Sequence, residues 1–179
     1  MNDFLLHYGI PGMHWGIRKA GKSASVVFVS GSSKTQDKTS PYYRKKLPKE
    51  IRRELKKSIK NLDTFVVGDA PGIDRQVQQY LNEKRYKNVE VYGPGTEIRY
   101  SANKKWKTYA INDPKHAPMS PEWLRKKDIA MTKRATKGLA VILDNGAQAT
   151  RNNIKRLKRQ KKEVRVYSLN QKIKDGWVK

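Results

Sequence analysis

Three carboxylates occupy positions where a site for nucleotide chemistry would need them. Asp69 and Asp74 belong to the turn at residues 68–74, and Asp128 lies in a later amphipathic stretch. A carboxylate can accept hydrogen bonds from ribose hydroxyls, or act as an acid, a base or a nucleophile. Asp69, Asp74 and Asp128 are therefore the candidate catalytic residues. Helix capping remains the alternative for Asp74, and a surface ion pair the alternative for Asp128.

Three turns between strand and helix patterns supply the other candidate groups. Ser30-Gly31-Ser32-Ser33 follows a first β-branched run, residues 68–74 follow a second, and residues 144–150 follow a third. Helix N-termini present unpaired N–H groups and the positive end of a dipole, which suits phosphate or ribose. The candidate ligand-binding residues are Ser30, Gly31, Ser32, Ser33, Gly68, Asp69, Ala70, Gly72, Asp74, Asp128, Asn145, Gly146 and Thr150. Ordinary turns, with Thr150 as a helix cap, are the alternative. Neither a Walker A loop nor a G-x-G-x-x-G is present.

The elements that must position these turns alternate between strand and helix. We predict five buried strands at residues 25–29, 64–67, 89–92, 139–143 and 164–169, and helices at about 47–62, 72–84, 121–135 and 149–160. Residues 93–120 are predicted to be irregular. This order predicts an α/β fold with helices on both faces of a mainly parallel five-stranded sheet. Right-handed crossovers then bring the carboxyl ends of the strands to one edge.

The charge of the chain favours a polyanionic partner. Lysine and arginine number 40 against 16 acidic residues, a formal net charge of +24, which favours DNA, RNA or an acidic protein surface. Residues 104–107 interleave cations with an aromatic ring, a pattern that suits single-stranded nucleic acid. The candidate nucleic-acid-binding residues are Lys104, Lys105, Trp106, Lys107, Arg151, Lys155, Arg156, Lys158 and Arg159. A solvated basic face is the alternative.

Composition also narrows the chemistry. The chain has no cysteine, which removes disulfides, thiolate nucleophiles and cysteine zinc sites. His7, His14 and His116 are scattered, so we expect no metal, and no motif calls for a cofactor. No run of 18 apolar residues occurs and residues 1–22 lack the order of a secretory signal, so a soluble protein is expected. We divide the chain into a docking segment at 1–22, a domain at 24–170 and a tail at 171–179.

The turn Gly68-Asp69-Ala70-Pro71-Gly72-Ile73-Asp74 resembles the Gly-Gly-Ala-x-Gly-x-Asp signature of the SLOG superfamily, particularly its YspA/YpsA-like branch. That branch has an Arg-Asn-x-x-Met element where this chain has Lys127-Asp128-Ile129-Ala130-Met131, and a Gly-Ser/Gly-x-Thr turn where it has residues 145–150. The resemblance covers about residues 24–170. It implies a Rossmann-like three-layer sandwich that binds nucleotides, or ligands derived from them, at the strand ends.

Relatives in this superfamily also suggest activities. Some cleave N-glycosidic bonds in nucleotides, and the DprA proteins bind single strands. Asp69 departs from the pattern because it replaces the second glycine, and Lys127-Asp128 replaces Arg-Asn. The Pro-Gly-Gly-x-Gly-Thr of the phosphoribohydrolase branch, with its following Glu, is missing.

Residues 7–18, His-Tyr-Gly-Ile-Pro-Gly-Met-His-Trp-Gly-Ile-Arg, resemble a short element of tailed-phage head-associated proteins. This resemblance implies a phage-encoded protein of the host cytoplasm or the virion, with a head protein as partner. Three hypotheses stay open: a ligand-binding protein that also contacts nucleic acid, a nucleotide N-glycosidase or deoxyribosyltransferase, and a head-associated DNA-binding protein without small-molecule activity.

Overall fold

The computed structural model describes residues 24–33, 46–142 and 147–168. The predicted docking segment at 1–22, the tail at 171–179, and the candidates Asn145 and Gly146 lie outside these described residues.

A single parallel sheet organises the described residues. Its strands are β1 (Val26–Gly31), β2 (Thr64–Gly68), β3 (Val89–Pro94), β4 (Lys107–Ile111), β5 (Lys137–Ile142) and β6 (Glu163–Ser168). They lie in the order β4-β3-β2-β1-β5-β6, and every neighbouring pair is parallel. The predicted α/β class with a mainly parallel sheet is confirmed, and the sheet has six strands rather than five.

Four helices cover the two faces of the sheet. They are α1 (Lys49–Lys60), α2 (Ile73–Glu83), α3 (Pro121–Arg134) and α4 (Gln148–Arg159). Successive strand side chains point to opposite faces. Val27 therefore packs in a core with Leu55 of α1 and Val77 of α2, whereas Phe28 packs with Met131 of α3 and Leu157 of α4. These two cores make the three layers of the sandwich.

Strand β4 corrects the prediction that residues 93–120 are irregular. Among the described strands it has β3 as its one neighbour, with Tyr109 opposite Tyr92, and four of its five residues are exposed. An edge strand of this kind buries no face completely, so its sequence lacks the apolar run that marks the inner strands. The rings of Tyr92 and Tyr109 stack with their centroids 4.8 Å apart, a contact that the sequence pattern does not reveal.

Helix α1 ends before residue 62, the last residue of its predicted range. Its C-cap is Asn61, and Leu62 follows in the left-handed region with φ 59°. Leu62 is 65% exposed, so it lies outside the helix and away from the core. The chain must reverse direction here to enter β2, and that turn carries the side chain away from the core.

In open parallel α/β sheets, ligands bind in a crevice at the point where the strand order reverses. From β1 the strands run outward through β2 and β3 to β4, and β5 then lies on the other side of β1. In this topology the crevice lies at the carboxyl ends of β1 and β5. The turn after β2 closes against this crevice, since the backbone N–H of Ile73 donates to the Ser32 carbonyl at 3.1 Å. Gly72 has φ +92°, and a Cβ there would lie 2.5 Å from the Ser32 oxygen, so this approach requires glycine.

Candidate functional site

A cavity of about 390 Å³ opens at this crevice. Its volume falls in the range of small-molecule sites. The lining residues come from the turns after β1 and β2, the β3–β4 connection, α3 with the loop before it, and the first turns of α4. They are Phe28, Ser30, Gly31, Ser32, Ser33, Ala70, Pro71, Asp74, Arg99, Met119, Leu124, Lys127, Asp128, Ala147, Gln148, Ala149, Thr150 and Asn153. The cavity thus brings together most of the candidate ligand-binding residues from the separate turns.

Asp74 lines the cavity and is only 8% exposed. The N-cap of α2 is Gly72, with no side-chain capping bond, so the capping alternative for Asp74 is wrong. A Cβ added at Gly68 would clash with the Asp74 carboxylate and lie 3.2 Å from Lys127 Nζ. Burial, partly offset by the Lys127 ammonium and reinforced by the Asp128 carboxylate, raises the pKa of Asp74 to about 7. Asp74 can therefore give up or take on a proton near neutral pH.

Lys127 and Asp128 form an ion pair beside Asp74. Lys127 Nζ donates to Asp128 Oδ1 at 2.8 Å, and the two side chains are 10% and 13% exposed. Burial opposes the charged ammonium, but the carboxylates of Asp128 and Asp74 outweigh it and raise the pKa of Lys127. The alternative of a surface ion pair for Asp128 does not describe this arrangement, because both partners are largely withdrawn from solvent.

An amide links this ion pair to the turn after β1. Asn153 Nδ2 donates to Asp128 Oδ2 at 3.2 Å and to Ser30 Oγ at 3.0 Å. Arg156 Nη1 in turn donates to Asn153 Oδ1. Helix α4, helix α3 and strand β1 are thereby held in one polar network at the edge of the cavity. Such networks fix side-chain orientation when their members are satisfied.

Asp69 does not lie where its predicted role requires it. The residue is 1% exposed and does not line the cavity. Arg99, from the β3–β4 connection, donates to Asp69 Oδ2 from Nε at 2.9 Å and from its backbone N–H at 3.1 Å. The carboxylate therefore lies behind a guanidinium and not at the ligand surface, and this corrects the prediction that Asp69 contacts a ligand or reacts with one.

Of the remaining turn candidates, Thr150 lines the cavity, whereas Gly68 and Gly72 do not. Thr150 is 2% exposed and lines the cavity. The N-cap of α4 is Ala147, without a side-chain capping bond, so Thr150 is not the cap of its helix. Gly68 and Gly72 lie behind the wall, where they allow the close approaches of Asp74 and Ser32 described above. The structure assigns these two glycines to packing.

The nucleic-acid candidates fall into two separate patches. Lys104, Lys105 and Lys107 are exposed beside β4, whereas Lys155, Lys158 and Arg159 are exposed on α4, which packs on β5 and β6. Strands β4 and β6 are the opposite edges of the six-stranded sheet, roughly 24 Å apart for five inter-strand steps of about 4.8 Å each.

Trp106 does not belong to the exposed patch beside β4. It is 5% exposed within the first core, and its Nε1 donates to the Tyr86 carbonyl at 2.9 Å. The prediction that this ring stacks on bases is wrong, because the indole is already packed inside the protein. Arg156 is half-buried, and its Nη1 donates to Asn153 Oδ1 at the edge of the cavity.

Arg99 and Lys127 line the cavity but are not among the candidate ligand-binding residues predicted from the sequence. Lys127 directly precedes the candidate Asp128. Arg99 lies in the long stretch predicted to be irregular, and the length of that stretch was the available signal, since long connections in compact domains are usually functional.

Fold and cavity together define a doubly wound α/β protein with a cavity at its topological switch point. The model of a family of unknown function (DUF7211) matches residues 1–22, and no curated protein matches the chain. Among the described residues, no helix is both long enough and apolar enough to cross a membrane.

Proposed function

We propose that this protein binds a nucleotide, or a ligand derived from one, in the cavity at the switch point. The observation that carries the proposal is the cluster of Asp74, Lys127, Asp128 and Asn153 in the cavity wall, where each is withdrawn from solvent. Burying charged groups is costly unless partners compensate them. A purely structural core gains little from two carboxylates and an ammonium here, whereas a ligand with hydroxyl groups can use all of them.

The domain is proposed to be SLOG-like. What supports this is that Asp74, Asp128 and Thr150, one residue from each of the three parts of the resemblance, come from distant parts of the chain and line one cavity. The proposed association with a phage head protein depends on residues 7–18 alone, which lie outside the described residues. Host cytoplasm and virion are the proposed locations.

The first test is direct binding of nucleotides. Small molecules that co-purify with the full chain are identified by mass spectrometry after nucleic acid is removed at high salt. The four ribonucleoside 5′-monophosphates and ADP-ribose are then titrated by calorimetry. Asp74→Ala removes a buried hydrogen-bonding group, so we expect at least one of these probes to bind about ten- to a hundredfold more weakly to the variant.

Glu163→Ala is the matched control for this test. Glu163 is an exposed acid at the start of β6, at the end of the sheet away from the cavity, so its loss should leave affinity unchanged. Equal binding by Asp74→Ala and wild type would contradict the proposed site. Failure of every probe, with no co-purifying small molecule, would favour the head-associated DNA-binding protein instead.

The second candidate function is cleavage or transfer at an N-glycosidic bond. Asp74, with its pKa raised to about 7, suits a general acid or base, which works best near the operating pH. The same titrated mixtures are followed by chromatography for free base. Base release that is lost in Asp74→Ala and in Asp128→Ala would make the protein an enzyme. Intact nucleotide after prolonged incubation would leave binding as its activity.

Nucleic-acid contact is proposed for the basic patches. A protein that neutralises Z phosphates loses affinity with salt at a log–log slope of about −0.7Z for single strands. Changing Lys155, Lys158 and Arg159 to glutamine should reduce this slope by up to about 2, as measured by fluorescence anisotropy with a labelled oligonucleotide. The matched variant changes Lys104, Lys105 and Lys107 to glutamine and reports on the other edge of the sheet. An unchanged slope in both variants would contradict nucleic-acid binding through these residues.

A further inference from the structure

Asp69 and Arg99 form an ion pair at the edge of the cavity, in which Arg99 is partly exposed and Asp69 is buried behind it. The Asp69 side chain is 0% exposed and that of Arg99 is 37% exposed. Only Arg99 of the two lines the cavity. A ligand in the cavity therefore meets the cation first, with its counter-ion behind.

The geometry of the pair leaves part of the guanidinium available. Arg99 uses Nε and Nη2 to bond the two carboxylate oxygens of Asp69, which is the bidentate arrangement that fixes the plane of the group. A guanidinium has five N–H donors, so the donors of Nη1 are not used by Asp69. The backbone N–H of Arg99 also donates to Asp69, and this anchors the residue at both its main chain and its side chain.

The position of Asp69 is itself fixed by contacts with β3. Its backbone N–H donates to the Tyr92 carbonyl at 2.9 Å, and a Cβ added at Gly93 would lie 2.5 Å from its Oδ2. The carboxylate thus fits into a space left by the missing side chain of Gly93. A flexible surface arginine loses rotamer freedom on binding a ligand, whereas Arg99 has already lost part of that freedom on folding.

We infer that Arg99 is the anion-binding residue of this cavity and that Asp69 is its positioning residue, so that the ligand carries a phosphate group at the Arg99 side. This inference rests on the proposed function and specifies the ligand class. Arginine matches the geometry of phosphate oxygens better than lysine does. The carboxylate at position 69 therefore does not exclude a phosphate, because it orients the cation that receives one.

The test compares each ribonucleoside 5′-monophosphate with its own nucleoside, and adds inorganic phosphate as a separate probe. Wild type should prefer the nucleotide by about ten- to a hundredfold, the usual contribution of charge-assisted hydrogen bonds. Arg99→Gln should reduce nucleotide affinity to the level of the nucleoside while leaving nucleoside affinity unchanged. Arg53→Gln is the control, since it removes one positive charge from the exposed side of α1.

Two further variants separate positioning from folding. Asp69→Asn keeps the charge of Arg99 but frees its orientation, so the preference for nucleotide should fall while nucleoside binding persists. The double variant Asp69→Asn/Arg99→Gln removes both charges and leaves no buried ion unpaired, so it should fold like wild type and still lack the preference. Arg99→Lys keeps the positive charge, so it should retain part of the preference for nucleotide over nucleoside that Arg99→Gln loses.

The outcomes distinguish this inference from the proposed function. Equal affinity of wild type for nucleotides and nucleosides would overturn the role of Arg99 and leave the binding site standing. A nucleotide preference that survives in the folded double variant would also overturn it. Binding of neither nucleotides nor nucleosides would overturn the proposed function itself, and the inference with it. Competition by inorganic phosphate that is lost in Arg99→Gln would support the anion site independently of the base.

Discussion

Replacing Lys127 with methionine is expected to lower the free energy of unfolding by about 3–5 kcal/mol at neutral pH, the usual effect of removing one partner from a buried ion pair. Lys127 pairs with Asp128 at 2.8 Å and its ammonium also lies close to Asp74 across Gly68. Without it, two carboxylates share a largely dry space with no cation between them. Urea unfolding monitored by tryptophan fluorescence measures the loss.

The loss should depend on pH in a defined direction. In the variant, Asp74 loses the cation that lowers its pKa, so burial and the neighbouring Asp128 carboxylate raise that pKa further above its value in the unfolded chain. The penalty is then absent below about pH 4, where both states are protonated, and grows as pH rises through the pKa of the folded state. Unfolding curves at pH 4 and pH 8 should therefore differ much more for Lys127→Met than for wild type.

Neighbouring residues offer matched controls. Lys126 is on the same helix, its side chain is 47% exposed, and its Nζ lies 3.8 Å from Asp113 Oδ2. Lys126→Met should therefore lower the free energy of unfolding by no more than about 1 kcal/mol. Adding Asp128→Asn to Lys127→Met removes one stranded carboxylate and should recover a large part of the lost stability. A Lys127→Met protein as stable as Lys126→Met at pH 8 would show that the pair is solvated and not buried.

Replacing Asp74 with asparagine is expected to stabilise the protein at high pH and to leave its stability unchanged at pH 4. Burial raises the pKa of Asp74 from 3.8 to about 7 in the folded state. Between these values the folded protein holds a proton that the unfolded chain has released, so the stability contributed by the protonated carboxyl is lost as pH rises through about 7. At about 1.4 kcal/mol per pKa unit, wild type loses up to about 4 kcal/mol that asparagine does not.

The measurement is the difference in unfolding free energy between Asp74→Asn and wild type from pH 4 to pH 8. This difference removes the contributions of all other titrating groups. Glu163→Gln, an exposed acid away from the cavity, should give a difference near zero throughout. An Asp74→Asn variant that is less stable than wild type at pH 8 would mean that the ionised carboxylate is stabilised in the folded state, and would contradict both the raised pKa and its use as a proton donor. A gain in stability, in contrast, would identify Asp74 as a residue kept for ligand chemistry at a cost to the fold.

Most of the fold follows from the sequence because its signals are local. The β-branched runs at β1, β2 and β5, and the spacing of Ile73, Val77 and Leu81 on α2, each reflect burial on one or two faces, and burial leaves a periodic pattern. The turn chemistry of residues 68–74 likewise predicted where α2 begins. The edge strand β4 left no such pattern, since four of its five residues remain exposed.

The candidate site could be located from the sequence but its chemistry could not. Parallel topology requires the turns after β1, β2 and β5 to meet at one edge, so the sequence predicted the neighbourhood of Ser30, Asp74 and Thr150. The partner of each charge depends instead on residues far apart in the chain. Arg99 bonds Asp69 across 30 positions and Asn153 bonds Ser30 across 123, and no spacing rule predicts such pairs.

The α/β class, the turns at the site and the strong excess of positive charge can all be read from the amino-acid sequence. The folded chain was needed to show that Trp106 is a core residue, that Asp69 lies behind Arg99 and that Asp74 is buried beside Lys127. Periodicity reports whether a position is buried, whereas the role of a buried charge or ring depends on which distant side chain packs against it.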